Sequence, residues 1–64
     1  MRTYVVLEGL PGGGAQVVAV VPGVLDGRAA VERTRLRLER TYPGEGPWAL
    51  EAEVVEPGSV RFVV

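Results

Sequence analysis

The chain has 64 residues, a formal net charge of −1 and a pI near 5.3, with neither cysteine nor histidine. That composition excludes disulfides, thiolate metal sites and Ser-His or Cys-His nucleophilic mechanisms, and it provides no global charge to attract nucleic acid or an anionic membrane. A chain this short forms one domain, residues 1–64, that buries only about 60% of its unfolded surface, so close packing or oligomerisation must make up the stability.

In chain order, Arg2 to Glu8 reads as a first strand, because Tyr4-Val5-Val6-Leu7 is aromatic and β-branched. Gly9 to Gly14 is a turn-rich loop, and the Val-rich stretch Ala15 to Val21 is a second strand. The short connection makes an antiparallel hairpin their natural pairing. Pro22 and Gly23 mark a change of direction.

The stretch from Asp26 to Tyr42 has helical periodicity. Asp26 is a suitable N-cap, Leu, Arg, Glu and Ala dominate the interior, and Pro43-Gly44 ends the helix. At about 100° per residue, Val31, Thr34, Leu38 and Tyr42 form the core face, with Ala30 and Thr41 at its margin. Arg28–Glu32 and Arg35–Glu39 are i,i+4 pairs on a flank. Leu25, Ala29 and Leu36 align on the far side and suggest a second contact. After a Gly/Pro loop, Trp48 to Glu56 reads as a third strand and Val60 to Val64 as a fourth, joined by the turn Glu56-Pro57-Gly58-Ser59.

The expected fold is therefore α+β, in the order ββαββ, with a four-stranded sheet, one helix across one face and a β-grasp-like arrangement. The second and third strands can run parallel if they share the sheet. A domain-swapped dimer of the same elements is the alternative.

The hairpins differ in polarity. In the third strand Trp48, Leu50, Ala52 and Val54 alternate with Glu51 and Glu53, and in the fourth Val60, Phe62 and Val64 alternate with Arg61 and Val63, which suits a sheet with one wet face. The first hairpin is apolar on both faces, and one helix covers only one of them. A second copy of the chain is the expected cover. Strict alternation groups Tyr4, Val6, Val18 and Val20, with Leu36 as a further contact, into a self-association surface. The opposite phase would use Val5, Leu7 and Val17 instead.

Other residues carry weaker chemical signals. Pro11-Gly12-Gly13-Gly14 is followed by strand, without the Lys-Ser/Thr and helix of a phosphate loop, and reads as a hairpin turn. Arg33, Arg37 and Arg40 share one side of the helix and form either an anion or nucleic-acid contact or a solvated, ion-paired face. Glu51 and Glu53 are too few for a metal site and read as a wet face. Trp48, Tyr42 and Phe62 form either a stacking platform or a cap on the core. Ser59, the lone serine, lies in a turn with no base available. No catalytic, cofactor or metal residue is expected, and no enzyme activity.

All seven basic residues are arginine, and the richness in Gly, Ala and Pro suggests GC-rich coding and suits a thermophilic source. No apolar run of about 20 residues occurs, so no membrane-spanning helix is expected. Met1-Arg2-Thr3 leads into a strand pattern without signal-peptide organisation, which makes the cytoplasm the expected location.

The opening Met1-Arg2-Thr3-Tyr4-Val5-Val6-Leu7-Glu8, with its Gly-rich turn and Val-rich second strand, resembles the start of small HicB-type antitoxin domains. The match covers the first third of the chain and lacks the third strand those domains place before the helix. The segment Val55 to Val64 resembles the last strand of β-grasp sulfur-carrier proteins. Those carriers finish in Gly-Gly, where this sequence has Val63-Val64, so carrier chemistry is not implied. Membership of neither family follows. The function expected from the residues is a small non-enzymatic protein–protein interaction module that self-associates as a dimer or larger. The alternative is a nucleic-acid-binding regulator, or antitoxin-like protein, using the arginine face.

Overall fold

The computed structural model describes residues 1–55. Strand β1 spans Arg2–Gly9, β2 Ala15–Val24, helix α1 Gly27–Thr41 and β3 Leu50–Val55. The architecture is α+β: a three-stranded antiparallel sheet in the order β2-β1-β3, with one helix across one face. Because β2 and β3 are each antiparallel to β1, they run parallel to one another with β1 between them. The helix thus carries the chain from one edge of the sheet to the other. The order among the described residues is ββαβ. The expected fourth strand, Val60 to Val64, and the turn before it lie outside the described residues.

The first three expected strands and the helix are present, with shifted ends. β2 continues past the Pro22-Gly23 turn signal to Val24. Gly23 takes φ +68°, a left-handed conformation that suits glycine, and the pairing slips between Arg2–Val24 and Tyr4–Val21, so the two residues kink the strand without ending it. β3 starts at Leu50, leaving Trp48 in the preceding loop. The Gly run closes a tight turn, with the Leu10 amide donating to the Gly14 carbonyl at 3.0 Å and the Gly13 amide to the Leu10 carbonyl at 3.1 Å.

The helix forms for the local reasons its sequence suggests. Asp26 is its N-cap, and its carboxylate accepts from the Ala29 amide at 2.9 Å. The Tyr42 amide donates to the Leu38 carbonyl at 2.7 Å, and Gly44, at φ +80°, turns the chain away. The flank ion pair is Arg35 with Glu32, spaced i,i+3 at 2.8 Å, in place of Arg35–Glu39 or Arg28–Glu32. Both partners are about half exposed, so the pair contributes little.

The core joins Tyr4, Val6, Val21 and Val24 from the sheet to Ala30 of the helix, with Val18, Ala19, Ala29, Leu50 and Ala52 packed around them. The helix meets the sheet through small residues. Ala30 and Thr34 are buried, and the buried Thr34 hydroxyl donates to the Ala30 carbonyl at 2.9 Å. A Cβ placed on Gly27 would lie 3.3 Å from Ala52 Cβ and 3.5 Å from Tyr4 Cε1. This close approach moves the centre of the interface toward the helix N-terminal half. Leu38 and Val31, expected at the centre, are half-buried, and Tyr42 is 49% exposed.

Candidate functional site

The face of the sheet away from the helix is set by register. β1 has Tyr4 and Val6 under the helix, so Thr3, Val5 and Leu7 point to the open side. In β2, Val20 pairs with Val5, Ala19 with Val6, and Val17 with Leu7, with a register shift between Val6 and Leu7. Val18 is the extra residue of this bulge. Its insertion reverses the alternation, so that Val17 and Val20, three apart, share the open face. Both are well exposed, Val17 at 58% and Val20 at 61%. Across β1, the positions Glu51 and Glu53 of β3 pair with Leu7 and Val5 and complete the open face with carboxylates.

The expected self-association set therefore divides. Tyr4 and Val6 belong to the core beneath the helix, and Val18 is half-buried against that core. Val20 alone of the sheet residues in that set is on the open face. Leu36 is 53% exposed on the outside of the helix, remote from the open face of the sheet. The contiguous apolar surface is Val5, Leu7, Val17 and Val20, the opposite phase of the hairpin.

The arginines are brought together. Arg33, Arg37 and Arg40 line a groove of about 430 Å³ between α1 and the edge strand β2, whose floor is Ala19 to Pro22, with Thr34 and Thr41 between the arginines. Among the described residues no carboxylate lines this groove and none of the three arginines forms an ion pair. The Thr41 hydroxyl is already committed to the Arg37 carbonyl at 2.9 Å, as Thr34 is to Ala30, leaving the guanidinium groups as the groove's polar side-chain donors.

A second groove holds the aromatic residues. Trp48, Tyr42 and Leu38 line it with Val18, Glu8, Gln16 and Glu45. Trp48 sits against Gly46, where a Cβ would come within 2.9 Å of its ring. The third member of the expected platform, Phe62, lies outside the described residues, as does Ser59. Glu51 and Glu53 are exposed, and among the described residues no cluster of three or more acidic, histidine or cysteine side chains could hold a metal ion. No helix among them is long and apolar enough to cross a membrane. Comparison with protein families, curated proteins and solved structures returns no match.

Sequence reasoning had the two apolar faces of the hairpin and the arginine row. It lacked the bulge, for which the run Val17-Val18-Ala19-Val20-Val21 holds no signal, since any of its members can face either side. It also lacked the apolar floor under the arginines, which belongs to a different element.

Proposed function

We propose that the protein is a small non-enzymatic interaction module that self-associates through the open face of its sheet. The observation that supports this most is the exposure of Val17 and Val20 beside Val5 and Leu7, on a face that the chain's one described helix does not cover. Three strands about 4.8 Å apart and some eight residues long present roughly 350–400 Å² in projection. The apolar stripe on β1 and β2 is only part of that area, and even the whole face is smaller than the ~800 Å² per partner of a stable complex. The association is accordingly weak, with Kd in the micromolar range or above, and isologous, the valine stripe meeting its own copy while Glu51 and Glu53 stay at the rim.

The test is light scattering after size exclusion across ~10 μM to 1 mM, on the wild type, Val5→Glu and Val17→Glu. The wild type should shift from monomer to dimer, and both variants should remain folded monomers. A wild-type monomer at 1 mM refutes the reading.

A second reading, a nucleic-acid-binding regulator or antitoxin-like protein, draws on the clustering of Arg33, Arg37 and Arg40 in one groove. The net charge of −1 and the absence of lysine count against it, because binding to the phosphate backbone depends on excess cationic groups.

A further inference from the structure

The arginine groove lies along the β2 edge of the sheet. Among the described residues β2 pairs only with β1, and none of them takes up the alternate amides and carbonyls along its other side; α1 stands above that edge with Arg33, Arg37 and Arg40. An edge of this length and valine content recruits other strands unless something discriminates among them. From these juxtaposed features we propose that the groove binds an extended acidic peptide of another protein. The peptide adds as a fourth strand to β2 and places alternate carboxylates against the three arginines.

Three observations define this occupant. Strand addition has backbone hydrogen bonds available along β2, and the groove floor of Ala19 and Val21 is apolar and low enough to admit a side chain. Arg33 to Arg37 is a rise of about 6 Å and Arg37 to Arg40 about 4.5 Å on the helix axis. Same-side residues of an extended strand repeat at about 6.7 Å, so two or three alternate acidic residues span the arginine row. The residues between them fall on the open face beside Val17 and Val20, which favours β-branched apolar side chains there. The specificity is therefore an alternating acidic and apolar sequence.

A second copy of the chain fits this edge poorly. Antiparallel pairing of β2 with its own copy would set two arginine rows side by side across the seam, like charge facing like. β3 of another copy, joined in a continuous sheet, would turn Leu50, Ala52 and Val54 toward the helix side, with Glu51 and Glu53 on the open face away from the arginines. Nucleic acid would use the guanidinium groups alone, with no role for the β2 backbone.

The experiment uses the full chain, ¹⁵N-labelled, with the peptide acetyl-Glu-Val-Glu-Thr-Glu-Val-amide, its Lys-for-Glu counterpart and a single-stranded oligothymidylate of matched charge, at 50 mM salt. The acidic peptide should bind and the lysine peptide should not. Amide shifts should run along β2 as well as α1, with slowed exchange of β2 amides. Arg33→Glu and Arg37→Glu should each weaken the peptide at least about tenfold, while Arg28→Glu, outside the groove, should change it less than about twofold, helical circular dichroism being kept in all three. Shifts confined to α1, tighter binding of the oligonucleotide, or no binding of the acidic peptide at millimolar concentration would each overturn the proposal.

Discussion

Truncating Val6 and Val5 to alanine, one at a time, separates the two faces of the hairpin. Among the described residues Val6 is the one large side chain that is fully enclosed, whereas Val5 points to the open face and is half-exposed. Val6→Ala removes two methyl-equivalent groups at about 0.8 kcal/mol each and adds a cavity term, since Tyr4, Val21 and Ala30 can follow the void only in part, giving a loss of about 2–3 kcal/mol. A domain of this length has of the order of 3–10 kcal/mol in all. The loss should lower the melting temperature by about 8–24 °C, at the 4–8 °C per kcal/mol of small domains. Val5→Ala should cost under about 1 kcal/mol in the monomer, with any further loss growing with protein concentration if the proposed dimerisation stabilises the fold. The measurement is thermal and urea unfolding by circular dichroism at several concentrations. Equal losses at the two positions in dilute solution, or a larger loss at Val5, would refute the assignment of faces.

Further expectations test other parts of the structure. Asp26→Ala removes the carboxylate that accepts from Ala29 and should cost about 1 kcal/mol in urea unfolding, with Asp26→Asn retaining most of the stability. Thr34→Leu forces volume into a buried position of the helix and should destabilise by about 1–3 kcal/mol, whereas Leu36→Ala on the exposed side should stay within about 0.5 kcal/mol; the reverse order would place the wrong helix face on the sheet. Gly46→Ala brings a methyl group into the Trp48 ring and should shift the emission of this single tryptophan to longer wavelength with the helical signal unchanged. In filter binding at about 150 mM salt, DNA and RNA of arbitrary sequence should bind with Kd weaker than ~10⁻⁴ M, and micromolar binding lost on Arg37→Glu would favour the nucleic-acid reading.

The sequence alone determined what depends on neighbours in the chain. Asp26 as N-cap, the helical stretch ahead of Pro43-Gly44, the hairpin around the glycine run and the amphipathic alternation of β3 all follow from local conformational preference, and each is present in the structure. The row of Arg33, Arg37 and Arg40 was legible for the same reason, because helical spacing places them on one side. Three matters waited for the tertiary structure. The face of the first hairpin under the helix is one, because both faces are apolar and local preference is degenerate; only packing against Gly27, Ala30 and Thr34 selects Tyr4 and Val6. The bulge at Val18 is another, since a single slip of pairing reverses which valines of β2 face outward and leaves no mark in a run of similar residues. The last is the neighbourhood of the arginines. Strand order decides that β2, and not β3, is the edge beside them, and strand order is fixed by contacts between segments far apart in the chain.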